Sequence, residues 1–523
     1  MNELWLLIIN YYEYYFELLP CLIASLIFYS IYSRKHGKNT IGVQCFLLTL
    51  IIMLDFLTAI WMKHHFVSKT NGNSVPNTDA IILEILISIA LGILYVPLSY
   101  FLSRTFNKIL RKQWINNNKY GIIIFVYLLV FFILQLPTFI YKYVSGWYAT
   151  NYSDGIGSRF FIGSILKLFY DDFLDWKKAY AFCLLSYLLI FLLIAALLNM
   201  LINHCNDNIR EGVIFVVILF LVSPGSIAGI WQYDNFGRLE YYGLLLALIS
   251  IVAFERITNA YLKYFIVTGL SCVSMAIYQG NIFMFYSLTV MLFVYDGLSK
   301  NDKLLLRRIL GFVSVLITGC TFLFFQFFST TIYRNLDDMV ETIEQRTNLS
   351  IVPSAFDYEI FQPLSVAFSN LNIDFLTGDE LPRESASVAI LISLPVFVLI
   401  LFLFLQCHEY RRINSQKVLE RPYIYYICLA GIIFFQFVLN VDWGRWMIST
   451  TIVLFGEILY LIYKNDKGMV KAVEKLSHFI QKNMLLCFVV VVYIAGLGKY
   501  NSRTFSSEVY KIIDILKHIN FVN

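Results

Sequence analysis

Apolar stretches of roughly 16 to 25 residues recur from one end of the chain to the other, each about long enough to cross a ~30 Å hydrocarbon core as a helix. Fourteen such runs can be placed, at about 14–32, 40–62, 80–103, 120–141, 179–202, 213–231, 240–255, 264–278, 281–297, 310–333, 386–406, 422–441, 447–463 and 484–497. The first, seventh, eighth, ninth and fourteenth are short or interrupted, so the pattern predicts 12 to 14 spans. The expected fold is all-α, a polytopic integral membrane protein with residues 1–523 forming one membrane domain. Longer polar stretches fall at about 142–178 and 334–385.

Composition agrees with the pattern. Of 523 residues, 59% are hydrophobic, 17% aromatic and only 14% charged, where soluble chains carry about 25% charge. The mean hydropathy is +0.68. Charge then orients the spans. Segments 33–39, 104–119, 203–212, 256–263, 298–309, 407–421 and 464–483 hold 24 of the 40 Lys and Arg residues, and the alternate segments hold 16 over a greater length. The positive-inside rule makes the first set cytoplasmic and places both termini and the two long loops outside.

Other classes lose their support. A net charge of +5 comes with no basic run long enough for nucleic acid. The nine cysteines are odd in number; Cys21, Cys45, Cys183, Cys272, Cys320, Cys428 and Cys487 lie in or beside apolar runs without CxxC spacing, as small core residues do. The start MNELWLL has no basic leader of a cleavable signal. No HExxH, P-loop, GxSxG or Gly-rich dinucleotide motif occurs, so no metal, nucleotide or redox cofactor is expected. His64 and His65 beside Lys63 read as a solvated interfacial turn.

Three segments of the outer set each combine an aspartate, a glycine and an arginine: DGIGSR (Asp154 to Arg159), DNFGR (Asp234 to Arg238) and DWGR (Asp442 to Arg445). A fourth, YQGN at 278–281, is an uncharged turn that offers Gln279 and Asn281. Arginine's planar fork binds phosphate or carboxylate oxygens bidentately and stays charged. A neighbouring aspartate orients that fork or takes the proton of an attacking hydroxyl. Such sets suit a phosphate or diphosphate group at the membrane surface. Each pair alone is more often a local salt bridge or a snorkelling interface residue than a functional one; repetition on one face is what raises the functional reading. On the cytoplasmic side the lysines and arginines read as membrane flanks.

Tryptophan is also asymmetric. Trp5, Trp61, Trp147, Trp176, Trp231, Trp443 and Trp446 fall toward the outer face and only Trp114 falls inside, whereas an aromatic belt decorates both interfaces. Trp443 and Trp446 flank the third arginine set and offer faces for sugar rings. In RNLDDMVETIEQRTN the acids Asp337, Asp338, Glu341 and Glu344 read as a solvated helix face, and RFFIGSILKLFYDDFL as a short interfacial helix. Asp55, Glu84 and Glu457 sit within spans, each explicable as a helix-to-helix hydrogen bond.

In order, DGIGSRFFIGSIL, SPGSIAGIWQYDNFGRLEYYG, YQGNIFMFY and VDWGRWM resemble the corresponding segments of bacterial O-antigen or capsule repeat-unit polymerases, over about residues 154 to 450. The two long outer loops share in the resemblance. It implies an inner-membrane glycosyltransferase that joins polyprenyl-diphosphate-linked oligosaccharides at the outer face, beside a flippase or a chain-length regulator. In that role Arg445, Arg159 and Arg238, with Trp443, Trp446, Gln279 and Asn281, would bind substrate. Asp442, Asp234 or Asp154 would orient the arginines or act as base. The chain departs from the arginine-to-glycine spacing of eleven common in those loops, since Arg159 leads to Tyr170 and Arg334 to Gln345. A C-type glycosyltransferase using a polyprenyl-phosphate sugar expects more acids in its first outer loop, where 63–79 has only Asp79. A flippase of lipid-linked glycans expects more charge within the spans.

Overall fold

The computed structural model describes residues 113–134, 139–170, 172–231, 235–298, 304–361, 380–414, 421–439 and 443–496, with short stretches at 51, 67–70, 73–76, 86, 89–95, 97 and 137. The main helices are α1 (Gln113–Leu134), α2 (Phe160–Leu166), α3 (Trp176–His204), α4 (Asp207–Val222), α5 (Glu240–Arg256), α6 (Ala260–Ile277) and α7 (Tyr286–Leu298). They continue with α8 (Leu304–Phe327), α9 (Leu336–Glu344), α10 (Glu380–Ile413), α11 (Pro422–Leu439), α12 (Trp443–Tyr463), α13 (Lys467–Lys482) and α14 (Met484–Gly496). The protein is an all-α, multi-pass membrane protein. Among the described residues five helices are long and apolar enough to cross a membrane, in α3, α6, α8, α10 and α12, or six if the bent pair α13–α14 counts as one span.

Every predicted run from 120–141 onward coincides with a helix. The first three runs lie mostly outside the described residues, as do Asp55, Glu84, His64 and His65. Local chemistry sets several boundaries. Asp175, Asn259, Asn335 and Asp466 cap α3, α6, α9 and α13 by accepting hydrogen bonds from backbone N–H groups two or three residues on. Pro224 follows the end of α4, and the rest of the run predicted at 213–231 becomes the tight turn Ile227–Trp231.

Segment 464–483 departs from expectation. Predicted as a cytoplasmic loop, it forms α13, whose Met469, Ala472, Val473, Leu476 and Ile480 make one buried stripe against α4 and α10. Its other side is polar, so a hydropathy pattern tuned to whole spans passes over it. At a bend of 103° the chain then enters α14.

Burial identifies the axis of the bundle. Of the apolar window of α12, 89% is buried among neighbours, against 17% for α8. Helix α12 touches α3, α4, α7, α10, α11 and α13, while α8 packs on α6 and α7 and turns Phe312, Leu316 and Phe327 outward. Glu457 of α12 is fully buried, and neither carboxylate oxygen has a hydrogen-bond partner among the described residues, unlike the interhelical bond expected of it.

Segments of the two loop sets gather at opposite ends of the helices. At the end assigned to the outside, the long loops are joined. Gly155–Ile156 pairs antiparallel with Thr330–Thr331, Leu174 N–H donates to the Arg346 carbonyl at 2.7 Å, and the Thr347 hydroxyl donates to the Leu174 carbonyl at 2.7 Å. Phe356 stacks obliquely on Trp147, with ring centroids 4.5 Å apart. Helix α9 exposes Asp337, Asp338, Glu341 and Glu344, as its spacing predicts. After α2, Leu168 and Phe169 are strongly exposed, which suits a segment lying in the membrane interface.

At the inner end the basic residues are more than flanks. Arg411 pairs with Asp466 with both side chains buried. Lys464 pairs with Glu255 at 2.6 Å, and Lys263 and Arg307 share Asp296.

Candidate functional site

The first arginine is fixed by close approach of backbone to backbone. Helix α2 crosses the preceding loop so tightly that a Cβ on Gly163 would lie 1.6 Å from the Thr150 carbonyl oxygen; only glycine fits there. That crossing sets Arg159 just before α2, with its guanidinium carbon 5.2 Å from the Trp147 ring and 4.8 Å from the Tyr278 ring. Ring faces attract the cation. Beside it the buried Ser158 hydroxyl donates to the Gln279 side-chain oxygen. Ser158, Arg159, Gln279, Ser329 and Thr330 border a pocket of about 20 Å³, room for roughly one or two water-sized groups.

The second and third arginines share a carboxylate. Gly237 has φ +83°, a conformation that side chains disfavour. Its carbonyl accepts a hydrogen bond from the Tyr148 hydroxyl at 2.5 Å and its N–H donates to the Tyr187 hydroxyl at 3.2 Å. This held turn delivers Arg238 over the Tyr141 ring at 4.6 Å and lets α5 begin at Glu240. Arg445 Nη1 donates to Glu240 Oε1 at 2.7 Å, with both side chains buried. Arg238 is also close enough to act on that carboxylate.

The runs predicted at 422–441 and 447–463 leave DWGR as a tight outer link between spans, and the placement of Arg445 corrects that. Helix α12 begins at Trp443, so Arg445 lies in its first turn and is 6% exposed. Glu240, supplied by another helix, compensates the charge and makes burial tolerable. Trp446 is likewise buried, together with Trp147 and Trp231, so it offers no open face to a sugar. These three tryptophans belong to the packed interior. Asp442 and Asp234 lie outside the described residues, as does the side chain of Trp443.

The YQGN turn bridges the two arginine seats. It forms the single turn Gln279–Phe283. Gln279 holds Ser158 on one side, and Asn281 on the other fits against Gly243, one turn into α5 beyond Glu240. A Cβ at Gly243 would come within 2.2 Å of the Asn281 amide nitrogen. Asn281 is fully buried and donates to the Ser274 carbonyl at 3.4 Å. All three arginine segments therefore meet around one turn and the start of α5.

Asp154 takes a different cationic partner from the one its own segment suggests. Fully buried, it accepts from Arg346 Nη1 at 2.6 Å, the Tyr333 hydroxyl at 2.6 Å and the Asn151 N–H at 2.9 Å. It fastens the second long loop to the first. Burial, reinforced by the bond to Asp154, pushes the Tyr333 hydroxyl above the ordinary tyrosine range.

Glu240, Arg346 and Tyr148 escape reading along the chain. Glu240 resembles any acid at a helix start, and Arg346 sits in a loop crowded with charge. Among the described residues no three His, Cys, Asp or Glu side chains come together. The chemistry of the site is that of guanidinium, amide and hydroxyl groups. The chain matches no protein-family model, no curated protein and no solved structure.

Proposed function

We propose that the protein is a bacterial inner-membrane glycosyltransferase that polymerises polyprenyl-diphosphate-linked oligosaccharide repeat units into a surface polysaccharide at the outer face. The observation that carries this reading is the convergence of three arginine segments, distant along the chain, around the 279–283 turn and the start of α5. Arg159 borders the small pocket and is the first contact for a phosphoryl oxygen. Arg238 and Arg445, oriented by Glu240, supply positive potential behind it. An acceptor hydroxyl attacks the anomeric carbon and the bond to the diphosphate breaks. The electron pair leaves on the lipid diphosphate, where the arginines stabilise it. Asp442 or Asp234, next to Arg445 and Arg238 in sequence, accepts the hydroxyl proton. The lipid diphosphate is itself an activated leaving group, and the bilayer supplies both substrates.

The test is a deletion strain analysed for lipid-linked glycans and surface polymer. Loss of a polymerase leaves single repeat units at the surface; units trapped inside would instead indicate a flippase. In the complemented strain, Arg159→Ala and Arg445→Lys should give single units only. Full-length polymer from Arg159→Ala, Arg445→Lys and Arg445→Ala alike would sink the assignment.

A further inference from the structure

A polar cavity lies at the other end of the molecule. It has about 460 Å³ and is lined by Asn117, Lys119, Tyr120, Asn203 and Arg210, within the size range of small-molecule sites, roughly 300–1,000 Å³. Lys119 and Tyr120 come from α1, Asn203 from the end of α3 and Arg210 from the first turn of α4. Along α3 this is about 40 Å from Trp176 and the outer loops, at 1.5 Å per residue. The charge count assigns 104–119 and 203–212 to the cytoplasmic side, and the fold brings these two segments together.

The walls are built by hydrogen bonds between helices. The Asn203 amide donates to the Asn117 carbonyl at 2.6 Å, the Asn199 amide to the same carbonyl at 3.2 Å, and Gly121 N–H to the Asn199 side-chain oxygen at 3.1 Å. Both cations face a space with no carboxylate among its described lining residues. Lys119 lies 5.1 Å from the Tyr120 ring and has no carboxylate partner among the described residues. Arg210 pairs with the solvent-exposed Asp207 and donates to the Cys205 carbonyl at 3.2 Å. It also stands close enough to the Tyr120 hydroxyl to act on it. Helix α4 begins at this end, so its positive dipole end adds to the two side-chain charges.

We propose that this cavity binds a phosphate group at the cytoplasmic membrane surface, with Lys119 as point charge, Arg210 as fork and the asparagine amides and Tyr120 as neutral donors. The same chemistry is offered by the head group of an anionic phospholipid and by free phosphate. The site is independent of the outer arginine cluster.

The test uses the full chain in neutral detergent, titrated separately with phosphatidylglycerol mixed micelles and with sodium phosphate at constant ionic strength, Tm being the readout. A saturable rise with phosphatidylglycerol, about tenfold weaker in Lys119→Gln and restored in Lys119→Arg, supports the site with lipid as its source. The same pattern with sodium phosphate alone supports it with free phosphate as its source. Lys119→Gln leaves the Asn117–Asn203 contacts and the Arg210 pair in place, so folding is not at stake. No saturable rise with either probe, or equal rises in the parent protein and Lys119→Gln, overturns it.

Discussion

The two ends of the molecule seat the same cationic residue types differently. At the inner end Arg411, Lys464, Lys263 and Arg307 are closed into ion pairs that tie helices together. Asp466 takes Arg411 and caps α13 by accepting from Gly468 and Met469 N–H, both at 3.1 Å. Glu255 accepts from Lys464 and from the Tyr460 hydroxyl at 2.8 Å, and Asp296 takes two cations and the Tyr264 hydroxyl at 3.0 Å. At the outer end Arg445 and Arg346 are also paired, with Glu240 and Asp154, but Arg159 and Arg238 rest on ring faces. What differs between the ends is the kind of seat: carboxylates hold all four of those inner cations, and aromatic faces hold Arg159 and Arg238 at the outer end.

The comparison breaks or sharpens at the buried pairs first. Removing one partner strands the other, so Asp466→Ala and Arg445→Ala should each cost about 3–5 kcal/mol in thermal unfolding in detergent. The two ends should then part company in the double variants. Asp466→Leu with Arg411→Met should recover stability except for the lost α13 cap, about 1 kcal/mol, and make polymer. Glu240→Leu with Arg445→Met should recover stability and yield only single repeat units. Equal polymer from both double variants would erase the distinction between the ends.

Smaller effects test how the outer cluster is held. Gly237→Ala places a side chain at φ +83° and should cost about 1–3 kcal/mol, with polymer falling further than stability because Arg238 moves off Tyr141. Asp154→Asn should cost about 1–3 kcal/mol and speed hydrogen exchange in 334–361 more than in α12. Glu341→Gln, on the exposed face of α9, should shift unfolding by less than about 0.5 kcal/mol; a larger shift would mean that this face has a partner.

Much of the fold was legible because crossing a membrane imposes length and apolarity on consecutive residues. Helix α3 can be read directly from its apolar run at 179–202, and α8 carries so little burial that hydropathy alone describes it. Helix α13 was hidden because half of its surface is polar. The start of α12 was misplaced because Arg445 counts against a helix interior until Glu240 is known to face it. Of the candidate site, Arg159, Arg238, Gln279 and Asn281 were legible from repetition on one side of the membrane. The joining of Asp154 to Arg346 was not, because pairing across loops leaves no local trace.

What the sequence determined by itself is the class of molecule: apolar runs of spanning length, the sorting of the intervening segments into two sets, and the recurrence of arginine with aspartate and glycine in one of them. Only the tertiary structure decided which carboxylate meets which arginine. Hydropathy and charge sums are properties of consecutive residues, whereas Glu240 with Arg445, Asp154 with Arg346 and Arg159 over Tyr278 are contacts between segments far apart along the chain. Their energy depends on distance and desolvation, and both come into being only when the helices pack.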